Sequence, residues 1–293
     1  MKISKFKGLL KKKLAVSLLF CLVILMACNK DNSINSNSNK IVIQAYLYPG
    51  EPITNFQITN LLSFESADTI IRPISNAIVS ISGNGKTYQL QAADTNGNYV
   101  YKGNDLQILP FNTYSLNVSY QNQQITAQTT VPAPPDSVAL SDSTITYDST
   151  LYTGGGIFSG QGNTLPSLSL SWKNPNADYF YIKIDNLEAS PERISFGFRR
   201  NPSGTSIISL GRRFVTQPVQ SSSSELGIPN EIQYYGHYRI LLYRVTKDYA
   251  LLYENRQQDS RNLTEPYTNI QNGLGIFTAF SPSDSLFFRV IKK

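Results

Sequence analysis

The chain has 293 residues, with 26 Lys and Arg against 20 Asp and Glu, one histidine and two cysteines. Six of the basic residues (Lys2, Lys5, Lys7, Lys11, Lys12 and Lys13) precede Leu14, leaving 20 against 20 beyond it, so the overall basicity argues for no nucleic-acid partner. Cys21 and Cys28 both lie near the N-terminus, so the remainder has no disulfide, thiolate metal site or cysteine nucleophile.

Met1 to Lys13 is a positive segment, and Leu14 to Ala27 is an apolar run of 14 residues broken only by Ser17. That order is the signal-peptide pattern, and the run falls short of the ~20 residues a membrane-spanning helix needs. It ends in Leu25-Met26-Ala27-Cys28, which resembles the lipobox of bacterial lipoproteins. The resemblance implies cleavage between Ala27 and Cys28 and lipidation of Cys28, with palmitate among the acyl groups. A plain signal peptide or an uncleaved anchor is the alternative. The organisation expected is a signal over 1–27, a polar flexible tether over 28–39, and an exported body.

The body reads as strands. Lys40-Ile-Val-Ile-Gln-Ala-Tyr46 opens it. Asn76–Ser82 and Lys86–Gln91 flank Asn84-Gly85, a pair suited to the positive φ angles of a tight hairpin. A turn at Asp94–Asn98 precedes Tyr99-Val-Tyr101. Thr113–Tyr120 alternates, placing Tyr114, Leu116 and Val118 on one face, and Gln124–Val131 follows. Val131-Pro-Ala-Pro-Pro-Asp136 reads as a stiff boundary. Beyond it Leu168, Leu170 and Trp172 alternate with serines, and Tyr179–Asp185 comes after Asn174-Pro175. A strand ending in Trp, a proline turn, then Tyr-x-Ile-x-Ile resembles two consecutive strands of a fibronectin type III domain. Further strands are expected at Arg193–Arg199, Ser206–Gly211, Tyr238–Val245 and Leu286–Ile291. One helix is expected near 247–258, capped by Thr246 with Asp248 in its first turn. The fold expected is all-β. It comprises an Ig-like or transthyretin-like sandwich over 40–133 and a fibronectin-like β domain over 134–293 carrying the helix.

Few residues suggest chemistry. Gly85-Lys86-Thr87 resembles the end of a phosphate loop, but Ser80 stands where the opening glycine belongs, and the hairpin accounts for the segment. The Gly154–Gly162 glycine cluster has no strand-then-helix frame. His237 is a single histidine, so a histidine triad or a multi-histidine metal site has no partners in the sequence. Arg199-Arg200 and Arg212-Arg213 flank a turn at Asn201–Gly204. They meet an anionic ligand or protect a hairpin edge from aggregation. Tyr234, Tyr235 and Tyr238 stack on a sugar, line a partner interface, or simply pack. No cofactor, metal site or catalytic set is expected.

The strand at Tyr238–Val245, the helix and Asn262-Leu-Thr-Glu-Pro-Tyr-Thr-Asn-Ile-Gln-Asn-Gly-Leu-Gly-Ile-Phe-Thr-Ala279 together resemble the end of a Bacteroidetes lipoprotein family known as domain-of-unknown-function family 4249. Ile41–Leu47, Asn76–Ile81 and Val131-Pro132 fit the same family in order. The resemblance implies an outer-membrane lipoprotein, surface-exposed in one reading, associated with TonB-dependent receptors and without assigned catalytic residues. Gly273 and Gly275 are expected to let backbones approach before Ile276 and Phe277 re-enter the core. Three functions compete: a non-enzymatic accessory or binding lipoprotein of a transport system, a carbohydrate-binding or adhesion module, and an envelope hydrolase using dispersed carboxylates.

Overall fold

The computed structural model describes residues 40–60, 72–148, 165–195, 211–254 and 267–293. The first strand, β1 (Ile41–Leu47), buries Ile41, Ile43, Ala45 and Leu47 and pairs antiparallel with β2 (Phe56–Asn60), Ile43 opposite Ile58. Across the core lie β3 (Ile78–Gly83), β4 (Lys86–Ala92), β5 (Tyr99–Val100), β6 (Thr113–Tyr120) and β7 (Gln123–Thr130). They form one sheet in the order β5-β4-β3-β6-β7. Asn84 and Gly85 turn the β3–β4 hairpin with φ of 55° and 75°, the double positive expected of that pair. Tyr114, Leu116 and Val118 all point into the core, as their alternation requires. The buried Tyr114 hydroxyl donates to the Gln107 carbonyl at 2.8 Å and accepts from the Leu109 amide at 2.9 Å, satisfying the polar end of a core residue.

A second sandwich follows Pro132–Pro135. One layer is β8 (Asp136–Leu140), β10 (Ser167–Lys173) and β13 (Ser223–Gly227), in the order β13-β10-β8. The facing layer contains β9 (Thr144–Tyr147), β11 (Tyr179–Asn186), β12 (Arg213–Val215), β14 (Gly236–Val245) and β16 (Leu286–Lys292). Leu168, Leu170 and Trp172 meet Phe180, Ile182, Ile240 and Val290 between the layers. Trp172 is 4% exposed, its ring 5.6 Å from that of Phe180. The helix α1 (Lys247–Glu254) is capped by Thr246, whose hydroxyl accepts the Tyr249 amide at 3.3 Å. Residues 255–258 of the expected helix lie outside the described residues. So do 196–199 and 206–210 of two expected strands; of the first, Arg193 makes only an isolated bridge to Tyr234.

The strand β15 (Leu274–Pro282) joins the two sandwiches. Its residues Leu274–Ala279 run parallel to β1, and Phe280–Pro282 run antiparallel to β14, so one eight-stranded sheet passes from one sandwich to the other. Gly275 makes the approach close: at φ +101° a side-chain Cβ there would lie 2.0 Å from the Ile43 carbonyl oxygen. Phe277, Ala279 and Ile270 complete the core of the first sandwich. The chain beyond 134 therefore supplies part of the domain expected over 40–133. The protein is all-β, built of sandwich layers, with one short helix among the described residues.

Candidate functional site

The site grows from strand alternation in β11 and β14. Phe180, Ile182 and Ile184 face the core, so Tyr179, Tyr181, Lys183 and Asp185 face outward. In β14, Tyr238, Ile240 and Leu242 face inward, which turns Arg239, Leu241 and Tyr243 out. The register sets Tyr181 beside Tyr243, Lys183 beside Leu241 and Asp185 beside Arg239, while β12 brings Arg213 to the other side of Asp185. One sheet face thus carries an aromatic end and a charged end.

The aromatic end is closed. Tyr181 and Tyr243 stack with centroids 4.7 Å apart, and Phe280, Tyr46 and Tyr48 pack on them from β15 and the β1 segment, with Tyr249 from α1. Burial pushes the phenols of Tyr48, Tyr181 and Tyr249 far above their ordinary value, so they stay protonated. This cluster is a joint between the sandwiches.

The charged end is open. A groove of about 550 Å³ is lined by Asp185–Leu187, Gly211–Arg213 and Arg239. Asp185 is 7% exposed. Its Oδ1 accepts Arg213 Nε at 2.6 Å, its Oδ2 accepts Arg239 Nη2 at 3.0 Å, and Lys183 Nζ lies 3.6 Å from Oδ2. Burial alone would raise the Asp185 carboxyl. The two guanidiniums and the Lys183 charge outweigh it and hold the group below the usual carboxylate range. Such a carboxylate is a poor general acid but a firm counter-ion that orients arginines. Arg212 donates to the backbone oxygen of Glu188, holding Gly211–Arg213 beside β11. A second cavity of about 450 Å³, at the end of the first sandwich between Glu51 and Leu106, lacks this convergence of charge.

The residues singled out in the sequence fall differently. Tyr238 is 3% exposed, stacks on Phe288 at 4.8 Å, and exchanges hydrogen bonds with the Tyr234 backbone. It belongs to the core and offers no face to a ligand. Tyr234 and Tyr235 are half-buried against the same core, with Lys292 Nζ 6.0 Å from the Tyr235 ring centroid, so the three rings form no common platform. Ala27, Cys28, Arg199 and Arg200 lie outside the described residues. His237 is exposed, its Nδ1 2.8 Å from Glu188 Oε1. Its backbone amide, and then its ring, hold the Glu188 carboxyl below the usual range. Among the described residues no group of three His, Cys, Asp or Glu is placed to hold a metal ion, and no helix is long and apolar enough to cross a membrane.

Of the groove, only the pair Arg212-Arg213 stood out in the sequence. Asp185 and Arg239 were missed because the cluster is assembled from three strands. A signal was present: Lys183 and Asp185 alternate with Ile182 and Ile184, which places both charges on the outward face of an otherwise apolar strand.

Comparison with known proteins adds the family. No curated protein sequence matches the chain. Among solved structures, a two fibronectin type-III domain segment from chicken tenascin aligns at 13% identity, covering 71% of this chain and 91% of that one, with a TM-score of 0.21. At that level of superposition it bears on neither fold nor function. The model of the family described as Domain of unknown function (DUF4249) matches residues 30–285, nearly all of the body expected beyond the signal, and the chain belongs to that family.

Proposed function

We propose that this protein is a lipid-anchored component of the bacterial outer membrane that binds a partner or ligand as an accessory to a TonB-dependent transport system. The observation that carries the reading is Leu25-Met26-Ala27-Cys28, preceded by a basic and then an apolar segment and followed by a polar tether. The tether leads into β1, which is hydrogen-bonded on both sides by β15 and β2, so the body hangs from an interior strand. A body with an aromatic joint and an open charged groove suits binding better than bond cleavage. The carbohydrate-binding alternative rested on Tyr234, Tyr235 and Tyr238, and it loses its third ring to the core.

The test is purification from native membranes. Radiolabelled palmitate should enter the wild-type protein and not Cys28→Ala, and the wild type should co-purify with an outer-membrane receptor in comparable amount. Label in the mutant, or a wild type released as a soluble protein on lysis, overturns the anchor. A membrane-bound protein that purifies alone overturns the transport role.

A further inference from the structure

We infer that the groove around Asp185 is a binding site for the oxyanion of a small soluble ligand, a carboxylate or phosphate group held by arginines from the strands on either side of Asp185. The inference deepens the binding role proposed above by naming the ligand chemistry.

The charge is out of balance. Arg212, Arg213 and Arg239 line the groove against one carboxylate, Asp185, and Lys183 leans on that same carboxylate. A guanidinium carries five donors in a planar fork, and Asp185 accepts one bond from each of Arg213 and Arg239. Most of the donors on these two side chains are left for other partners. Arg239 Nε is buried with no hydrogen-bond partner, so one donor of that guanidinium is left unsatisfied by the protein.

The arrangement is also fixed in place. Arg213, Asp185 and Arg239 lie side by side across β12, β11 and β14. Adjacent strands are about 4.8 Å apart, so the two arginines arise roughly 10 Å apart with the carboxylate between them. Asp185 acts as a positioning residue. Its two oxygens each hold one nitrogen of a guanidinium, Oδ1 that of Arg213 and Oδ2 that of Arg239, so both forks are fixed beside the groove. Arginine forks match the flat, bidentate geometry of carboxylates and the oxygens of phosphates, and a pre-oriented fork loses less entropy on binding. The Arg213 side chain is 65% exposed, so an anion reaches it from solvent. A groove of this volume accommodates a small acid or the acidic end of a longer molecule. Simple edge protection explains Arg213 on the outermost strand. It does not explain a second arginine from β14 converging on the same buried carboxylate.

The experiment is calorimetric titration of the full lipidated chain in detergent with inorganic phosphate and with galacturonate. Binding to phosphatidylglycerol-containing vesicles is measured in parallel. The variants are Arg213→Gln, Arg239→Gln and, as a charge-matched control on the first sandwich, Lys86→Gln. Circular dichroism checks each fold; Arg213, exposed on an edge strand, serves where Arg239→Gln fails to fold. The expected result is saturable binding of at least one free anion. It should weaken by at least about tenfold in either groove variant, as for the loss of one charge-assisted hydrogen bond, and stay unchanged in Lys86→Gln. No binding of either anion by the wild type overturns the inference. Equal weakening in Lys86→Gln overturns it too, by showing that diffuse charge suffices. Binding to vesicles without either free anion assigns the groove to lipid headgroups and also overturns the soluble-ligand reading. Failure here leaves the lipid anchor and receptor association intact, whereas failure of the co-purification leaves anion binding intact.

Discussion

Substituting Gly275 by alanine should unfasten the strand that joins the two sandwiches. The backbone there has φ +101°, which costs an L-residue about 1–3 kcal/mol. The new methyl would also stand 2.0 Å from the Ile43 carbonyl oxygen and 3.0 Å from the Ile43 amide nitrogen. Both are backbone atoms in the β1 ladder, so no side chain can swing aside. Relief requires β15 to move by roughly 1 Å, giving up one or two ladder hydrogen bonds at about 0.5–1.5 kcal/mol each. The expected loss is about 3–5 kcal/mol, a large part of a typical domain's stability. Gly50→Ala is the control: its φ is +71° but nothing lies within 4 Å of the added carbon, so only the backbone cost of about 1–2 kcal/mol applies. Urea unfolding followed by far-ultraviolet circular dichroism and by fluorescence makes the test sharper. Trp172 is the only tryptophan and sits in the second sandwich, away from the β1–β15 contact. If β15 couples the sandwiches, Gly275→Ala lowers both midpoints together. A Gly275→Ala loss no greater than that of Gly50→Ala would refute the close-approach argument. A dichroism midpoint that falls while the Trp172 midpoint stays would refute the coupling.

Trp172→Ala should cost about 3–5 kcal/mol, because a nearly buried indole packed on Phe180 leaves a cavity when truncated; a variant with wild-type thermal stability would show that the site refills. The Asp185 carboxyl is depressed in the folded protein, so its contribution is complete above the unfolded value of about 4 and is lost as pH falls through the lower folded value. Asp185→Asn should therefore lower the urea midpoint at pH 7, and the gap to wild type should narrow progressively as pH falls below about 4; a gap independent of pH would remove the ion cluster from the stability argument. If Cys28 is anchored as proposed, a segment of about a dozen residues behaving as a flexible coil would reach ~20 Å, enough to clear lipid headgroups. Protease added to intact cells should then degrade the body, and full protection until the outer membrane is permeabilised would put the protein on the periplasmic leaflet.

Strands with one wet face were readable residue by residue. Thr113–Tyr120 and Ser167–Lys173 alternate because one side meets the core and the other meets water. β15 resists that reading: Ile276 to Ser281 is buried without interruption, since both faces are covered, and period-two patterning disappears. Only the close approach at Gly275 and the return of Ile276 and Phe277 to the core were legible there. The short strands β8, β12 and β13 are serine-rich or exposed and carry little apolar signal. The groove was half legible. Arg212-Arg213 is visible as a pair, but its meaning depends on Asp185 and Arg239, which only the register of β11 with its neighbours brings alongside. The tyrosine joint was invisible for the same reason, drawing on Tyr48, Tyr181, Tyr243 and Tyr249 from four separate segments.

The order of synthesis gives the shared strand another meaning. β1 emerges among the first residues of the body, and its parallel partner β15 among the last. Until 274–279 arrive, one side of β1 presents open backbone donors and acceptors, and Ile41 and Ile43 lack the cover of Phe277. An apolar edge held open in this way is a template for pairing with other chains, and closing so distant a contact is slow. A chain translocated N-terminus first would carry that exposed edge through the whole of its transit. Holdase binding should therefore centre on Ile41–Leu47. Nascent or clipped products ending before residue 274 should aggregate, because neither half can seal its own sheet.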